Sequence, residues 1–222
     1  MKRRAMLVLA MAGCTSSRVD AAPIELHPIA HDRLCVTKGA ITDAAIGEPT
    51  VRAFALGSHG DAAQLTFTFA GDSDRARALA SGQQRRQLGL KLRAADSCNV
   101  VYVMWRLDPH PKLEVSVKYN PGKRTHEECG ASGYTKVHPE HATAVPALEV
   151  GASHTLRAEI RGDQLVAWID GAVAWRGELP DEARHIAGPA GLRSDNVRLE
   201  AIQLAGLPGD AGPECKRHEE DD

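Results

Sequence analysis

Three histidines lie close together in the sequence and are the first candidates for chemistry. His126, His138 and His141 each have a glutamate beside or near them. Imidazole and carboxylate groups are common zinc ligands, and the gap of two residues between His138 and His141 occurs in metal sites. Pro139 disfavours a helix that would place His138 and His141 on one side, and no pair of cysteine thiolates completes a set of metal ligands. The sequence therefore predicts no metal site and no cofactor.

A second candidate is the glycine-rich segment 129–134, Cys-Gly-Ala-Ser-Gly-Tyr. It resembles the nucleophile segment of thiol proteases but has Ser132 where that pattern has a second cysteine. We therefore interpret Cys129 as half of a disulfide. The chain also contains no phosphate-binding loop, no dinucleotide fingerprint and no nucleophile elbow.

Carboxylates are a third candidate, because glycoside hydrolysis uses two of them flanking one bond. Glu114, Glu159, Asp170 and Glu200 lie on or at the ends of predicted strands. Their place in the alternating pattern predicts solvated side chains on half-exposed strands. Catalysis by carboxylates from different strands stays open as an alternative.

The candidate binding site lies on two neighbouring predicted strands, 99–107 and 113–120. In both strands one set of alternate residues is apolar, and the other carries Tyr102, Arg106 and Glu114. A turn of three or five residues would align the apolar sides as core and leave the other set on one face, whereas a turn of four would mix them. That second set is Tyr102, Met104, Arg106, Glu114, Ser116 and Lys118. An aromatic ring beside charged groups suits a sugar, which offers an apolar ring face and hydroxyls.

Two tryptophans could extend this binding capacity. Trp168 and Trp175 fall on the side opposite to the apolar residues of their predicted strands. Together they would form a stacking platform for a ligand, or they would be core residues beneath a covering loop. The pattern favours the second interpretation.

The elements that position these residues alternate with a period of two, as β-strands do. The hairpin signals Gly162-Asp163 and Asp170-Gly171 separate three of the strands, and two prolines in 108–111 prevent a strand interior there. Residues 74–87 are the one stretch that suits a short helix or a long loop. The predicted strands are 64–70, 88–94, 99–107, 113–120, 154–161, 165–170, 172–176, 190–193 and 197–204. Short strands at this spacing predict an all-β sandwich or jelly roll of two antiparallel sheets.

The N-terminal residues have the pattern of an export signal. A basic start, Lys2 to Arg4, precedes eight apolar residues, which are too few to cross a bilayer as a helix. The sequence Met11-Ala12-Gly13-Cys14 resembles the lipobox of bacterial lipoproteins. This resemblance implies acylation of Cys14, which becomes the new N-terminus, and Thr15 after it favours the outer membrane, on its periplasmic or its outer side. Several acyl chains on one residue give a stable anchor.

Removal of that signal makes the chain more acidic. The full chain of 222 residues has 27 basic and 29 acidic residues, and loss of Lys2, Arg3 and Arg4 lowers the net charge from −2 to −5. An acidic chain without a basic block lacks the electrostatic footprint of a nucleic-acid-binding protein. With 43% apolar and 25% charged residues, its composition is that of a folded globular domain.

Four cysteines remain after Cys14 is set aside, and an even number in an exported chain predicts two disulfides. Four cysteines allow three connectivities. We expect Cys98–Cys129, because these residues bracket a predicted hairpin, and Cys35–Cys215, which joins the start and the end of the domain. Thiols that react or bind metal are the alternative, but the chain has no C-x-x-C motif.

The C-terminal third carries a resemblance to a known superfamily. Residues 154–171, HTLRAEIRGDQLVAWIDG, followed by 188–197, GPAGLRSDNV, are similar to the end of a concanavalin A-like domain, and most similar to the 3-keto-disaccharide hydrolase-like domains. The resemblance implies a jelly-roll β-sandwich but no particular activity. Glycosidases of this superfamily carry an E-x-D-x-x-E pattern on one strand, and no predicted strand here contains it.

Together these observations predict a lipid-anchored envelope protein whose β-sandwich binds carbohydrate or another ligand without catalysis. An envelope glycoside hydrolase and a structural domain that binds another protein are the alternatives. The expected regions are a signal peptide at 1–13, a lipidated tether at 14–34, the sandwich at 35–215 and an acidic disordered tail at 216–222.

Overall fold

The computed structural model describes residues 23–79, 81–210 and 215. Within these residues the chain forms fourteen strands, one short helix and two 3₁₀ turns, which confirms the all-β prediction. The strands are β1 (His27–Pro28), β2 (Leu34–Lys38), β3 (Thr50–Ala55), β4 (Ser58–Asp72), β5 (Gln87–Leu92), β6 (Val100–Arg106), β7 (Lys112–Lys118), β8 (Tyr134–Val137), β9 (His141–Ala142), β10 (Ser153–Arg161), β11 (Gln164–Ile169), β12 (Ala172–Glu178), β13 (Gly191–Asp195) and β14 (Val197–Pro208). The helix α1 spans His126–Cys129, and the 3₁₀ turns span His31–Arg33 and Asp181–His185.

The strands form two antiparallel sheets of seven strands each. Sheet A has the order β1-β14-β4-β10-β11-β12-β9, and sheet B has the order β2-β3-β13-β5-β6-β7-β8. Alternate residues of both sheets point inward and form one continuous apolar core. Phe67 of sheet A and Trp105 of sheet B meet edge to face in this core, with ring centroids 6.1 Å apart. The architecture is the predicted β-sandwich.

All nine predicted strands are present, and the largest difference is in β4, which begins at Ser58 rather than at residue 64. Five further strands were missed: β1, β2, β3, β8 and β9. Strand β8 shows why, because it buries only Val137 and so lacks an alternating apolar pattern. Residues 74–79 and 81–86 are loop rather than helix, and Gln87 begins β5. The side chain of Asn196 fixes this loop by accepting a hydrogen bond from the Arg77 N–H and donating to the Arg77 and Arg85 carbonyls.

The expected hairpin turns are confirmed by the strand register. Arg161 pairs with Gln164, and Ile169 pairs with Ala172, so both turns contain two residues. Asp170 and Gly171 have φ of 50° and 82°, the left-handed conformation that a type I′ turn requires at both positions. The Asp170 carboxylate accepts a hydrogen bond from the Thr155 N–H and lies 2.8 Å from His154 Nδ1, which ties this turn to β10.

The structure contains the two expected disulfides, Cys35–Cys215 and Cys98–Cys129. The sandwich begins earlier than the expected boundary at residue 35, because β1 pairs with β14 along the edge of sheet A. Cys14 and the tail 216–222 lie outside the described residues. Among the residues described, no helix has the length and apolar character needed to cross a membrane.

Candidate ligand-binding face

The outer face of sheet B carries the predicted site. Strands β6 and β7 pair with Arg106 opposite Lys112, so a turn of five residues joins them. This register confirms that Val101, Val103 and Trp105 share the core side with their partners on β7. It therefore brings Tyr102, Met104, Arg106, Glu114, Ser116 and Lys118 together on the outward side. We call this surface, with the outward residues of the neighbouring strands, the B face.

Two tyrosines stack at the centre of the B face. Tyr102 is nearly buried, and Tyr134 of β8 lies over it with ring centroids 6.2 Å apart and planes at 22°. The guanidinium of Arg193 on β13 lies 5.1 Å from the Tyr102 centroid, and the Lys118 ammonium lies 5.3 Å from that of Tyr134. These distances allow cation–π attraction. Tyr134 keeps 46% of its surface exposed, so it is the accessible aromatic of the pair.

A buried carboxylate holds the arginines beside this stack. Asp195 accepts hydrogen bonds from Arg52, from Arg193 and from the Gln87 side chain, the last at 2.7 Å. Burial raises the pKa of Asp195, but the two guanidinium groups and the Gln87 hydrogen bond outweigh that effect and lower the pKa below its usual range. Asp195 is therefore ionised and serves to fix Arg52 and Arg193 in place.

A second carboxylate lies on the adjacent strand. Both Glu114 oxygens accept hydrogen bonds of 2.8 Å from Arg106, and Lys112 and Lys136 lie within 3.5 Å of the same carboxylate. Burial raises the pKa of Glu114, but these cations outweigh it and leave the pKa below its ordinary value. Arg106 and Glu114, both predicted site residues, thus form a charged pair at the edge of the tyrosine stack.

Two lysines of the B face are buried among cations. Lys91 on β5 lies opposite Tyr102, and burial together with Arg52 and Arg193 lowers the pKa of Lys91 to about 7. Burial and Arg193 lower the pKa of Lys118 to about 8. The Lys118 ammonium donates hydrogen bonds to the carbonyls of Ser97 and Gly130, at 3.0 and 2.9 Å.

A disulfide-held loop borders this face. Cys98–Cys129 ties α1 to the start of β6, and the Lys118 ammonium lies 3.1 Å from Cys129 Sγ. The helix begins with a capping box, in which the side chains of Thr125 and Glu128 bond to each other's backbone N–H. This loop leads directly into β8 and so determines the position of Tyr134.

The tryptophan platform is not formed. Trp175 is 1% exposed and belongs to the core, as the favoured interpretation expects, so the alternative that places it beside Trp168 on an outward face is wrong. The cause is a bulge: Ala167 pairs with Trp175 and Trp168 pairs with Val173, which places Ala174 as an extra residue on β12. Trp168 does lie on the outward side of sheet A, where Arg157 lies 6.0 Å from its ring.

Sheet A presents its outward side to another part of the chain. Ile24 donates its N–H to Glu159, and Arg157 donates to the Ile24 carbonyl. Arg157 and Arg161 bind both oxygens of the buried Glu159 carboxylate. The chain segment that leads into β1 therefore lies against this side of sheet A, next to the strand that carries Trp168.

Sequence reasoning missed three important residues of the B face, namely Lys91, Tyr134 and Arg193. Lys91 and Arg193 lie on predicted strands, and their alternation with Leu90, Leu92 and Leu192 was a signal for an outward position. Tyr134 had no such signal, because β8 lacks an apolar pattern. Among the described residues, no group of three or more histidine, cysteine, aspartate or glutamate side chains is arranged to hold a metal ion.

Comparison with known proteins supports the fold assignment. No protein-family model matches the sequence, and no curated protein is similar to it. The carbohydrate-binding module CBM66 from Bacillus subtilis has a similar structure, with a TM-score of 0.51, 10% identity, and coverage of 80% of this chain and 94% of that module. The galectin LEC-6 from Caenorhabditis elegans has a TM-score of 0.42 and 10% identity, with coverage of 80% and 97%. At this identity the likeness to the module shows the fold alone, which is a jelly-roll β-sandwich.

Proposed function

We propose that the protein binds carbohydrate on the B face, as a lipid-anchored module of the cell envelope without catalytic activity. The observation that carries the proposal is the exposure of Tyr134 among charged side chains. Within the described residues, Tyr134 and Val150 are the two large apolar residues that are exposed, and Tyr134 lies on a sheet face while Val150 lies in a turn.

The chemistry of this face suits a sugar ring. The exposed side of Tyr134 offers an apolar surface for the C–H face of a pyranose. Glu114 lies on the neighbouring strand β7 and holds Arg106 of β6, whose guanidinium can donate hydrogen bonds to hydroxyls. Tyr102 beneath Tyr134 and the disulfide at the end of the loop hold the exposed ring in place, which reduces the entropy lost on binding. The fold that the chain shares with a carbohydrate-binding module is consistent with this use of the face.

The ionised state of the B-face carboxylates gives less support to the glycoside hydrolase alternative than to carbohydrate binding. A general acid in a glycosidase needs a raised pKa, so that it is protonated near neutral pH. The pKa values of Asp195 and Glu114, the carboxylates of the B face, both lie below their ordinary values. Both groups are held by arginines, which suits a role in positioning.

A glycan array tests the proposal, with the full chain in detergent and two matched aromatic variants. Tyr134→Ala removes the exposed ring of the B face, and Trp168→Ala removes the outward ring of sheet A. We expect selective binding by the parent chain, a loss of about tenfold or more in Tyr134→Ala, and parent-like binding in Trp168→Ala, since a stacked ring contributes on the order of 1–2 kcal/mol.

Other outcomes would redirect the proposal. Loss of binding in Trp168→Ala alone would move the site to sheet A. Binding by neither the parent nor the variants across neutral and acidic glycans would reject the carbohydrate proposal and favour the protein-interaction alternative.

A further inference from the structure

We propose that the saccharide bound on the B face is anionic, and that Lys91, on the strand next to that of Arg193, binds its carboxylate, sulfate or phosphate group. This inference rests on the carbohydrate-binding function proposed above and specifies the class of sugar.

The first argument is the imbalance of charge. Among the described residues, the register of sheet B places two carboxylates on this face, Asp195 and Glu114. It places eight basic side chains there: Lys38, Arg52, Lys91, Arg106, Lys112, Lys118, Lys136 and Arg193. The chain as a whole has a net charge of −2, so the basic residues are concentrated here. A surface of one sign attracts ligands of the opposite sign.

The second argument is that the carboxylates are already used. Asp195 is shared between Arg52 and Arg193, and Glu114 between Arg106, Lys112 and Lys136. Two donors on this side of the sandwich have no acceptor. The Nε–H groups of Arg85 and Arg106 are buried and have no hydrogen-bond partner in the described part of the chain. A buried donor without an acceptor is costly, and an oxyanion would satisfy such donors.

Lys91 is the group that most requires an anion. Its side chain is 6% exposed, and its ammonium makes no hydrogen bond and no ion pair within the described residues. Lys118, by contrast, is buried on the same face but has carbonyl partners. Burial of an unpaired cation disfavours its charged form, and a bound anion would restore that form.

Charged groups from several strands and one loop surround Lys91. Arg52 of β3 and Arg193 of β13 repel its positive charge, and Asp96 in the loop after β5 attracts it. The Asp96 carboxylate already accepts hydrogen bonds from the N–H groups of Cys98 and Asn99. Further titratable groups of this part of the face are Asp195 of β13, Tyr102 of β6, Tyr134 of β8, Lys118 of β7 and His126 of α1.

The test compares acidic glycans with neutral ones. The full chain in detergent is screened against uronate-containing, sulfated, phosphorylated and neutral glycans on one array. Calorimetry then follows with the strongest acidic oligosaccharide and with its neutral form, obtained by methyl esterification or by removal of the sulfate or phosphate. The variants are Lys91→Met, which keeps the volume of the side chain, and Lys123→Met, which removes an exposed lysine of a loop.

We expect the acidic oligosaccharide to bind at least tenfold more tightly than its neutral form, and Lys91→Met to lose about tenfold or more of that affinity. Lys123→Met should bind as the parent does. Affinity should fall between pH 6 and pH 9 as Lys91 loses its proton, and Lys91→Arg, which keeps a charge in this range, should lose most of that pH dependence. Any dependence that remains in Lys91→Arg belongs to Lys118.

The outcomes separate the two proposals. Preference for neutral glycans, or unchanged affinity in Lys91→Met, overturns the anionic ligand and leaves carbohydrate binding intact. Absence of binding to every glycan overturns carbohydrate binding itself. The type of acidic glycan that binds identifies the oxyanion as carboxylate, sulfate or phosphate.

Discussion

At the scale of single residues, Asp195 and Lys91 show two ways of burying a charge. Asp195 has three donors around it, so its charge is compensated. Lys91 has no hydrogen-bond acceptor for its ammonium in the described part of the chain, and its pKa of about 7 lies well below that of an unfolded lysine, about 10.4. Between these two pH values the unfolded chain binds more protons than the folded one, so the free energy of unfolding rises with pH in this range. Lys91 therefore weakens the free protein at neutral and acidic pH, as functional residues often do.

The Asp195 cluster predicts the effect of removing one carboxylate. Asp195→Asn leaves Arg52 and Arg193 without their shared anion, and we expect it to lower the free energy of unfolding by about 3–5 kcal/mol at pH 7. The lowered pKa of Asp195 stabilises the fold above about pH 4, and this contribution is lost as pH falls through the folded-state pKa, so the difference from the parent should shrink in acid. Urea denaturation from pH 7 to pH 3 measures both effects.

Asp181→Asn is the control, because Asp181 is exposed and pairs only with Arg184 at 3.2 Å. It should change the free energy of unfolding by less than about 1 kcal/mol. Equal effects of the two variants would show that the Asp195 cluster does not have the role assigned to it.

At the scale of elements, small irregularities decide which side chains the two sheets expose. One extra residue on β12 turns Trp175 into the core, while Trp168 on the paired strand stays outside. On sheet B, β8 adds an outer strand and brings Tyr134 over Tyr102. The Cys98–Cys129 disulfide fixes the loop between β7 and β8, so the binding face depends on that loop as much as on the strands.

Removal of this disulfide tests that dependence. The double variant Cys98→Ala, Cys129→Ala opens a link across 31 positions, and we expect it to cost about 3–4 kcal/mol of stability. It should also accelerate hydrogen exchange in residues 119–137 and weaken glycan binding. The double variant Cys35→Ala, Cys215→Ala is the control, since Cys35 lies on β2, at the edge of sheet B opposite to β8. Equal exchange in residues 119–137 in both variants would contradict a local role for Cys98–Cys129.

At the scale of the whole molecule, the sandwich has one side near its N-terminal segment and one side away from it. Ile24 binds Glu159 and Arg157 on the outward side of sheet A, whereas the B face belongs to the other sheet. Eight residues separate Pro23 from Cys14, and the nine steps between their Cα atoms reach at most about 30 Å. In our proposal an acyl anchor at Cys14 therefore joins the domain on the side of sheet A, while the B face belongs to the other sheet.

The anchor itself makes a direct prediction. The parent chain, expressed in a bacterium that processes lipoproteins, should incorporate a labelled fatty acid and partition into detergent, and Cys14→Ser should do neither. The control is Cys35→Ser in the same full chain, which removes a different cysteine and should keep both the label and the partition into detergent. Labelling of Cys14→Ser would reject Cys14 as the acylated residue.

The sequence by itself determined the period of the strands and therefore the fold class, the two hairpin turns and the outward placement of Tyr102, Arg106 and Glu114. These features follow from local chemistry, because alternation fixes which side of a strand faces the core, and Asp-Gly fixes a tight turn. The sequence also led us to expect the cysteine pairing, but it allowed three connectivities, and the structure decided between them.

Only the tertiary structure decided which of these residues share a face with others distant in sequence. A bulge reversed the side of Trp175, although nothing in its local pattern differed from that of Trp168. In sheet B the order of strands is β13-β5-β6-β7-β8. This order brings Arg193 of β13, Lys91 of β5 and Tyr134 of β8 to the site on β6 and β7. Sheet order depends on packing over the whole chain, so a ligand site built across five strands is determined by the fold rather than by any one segment.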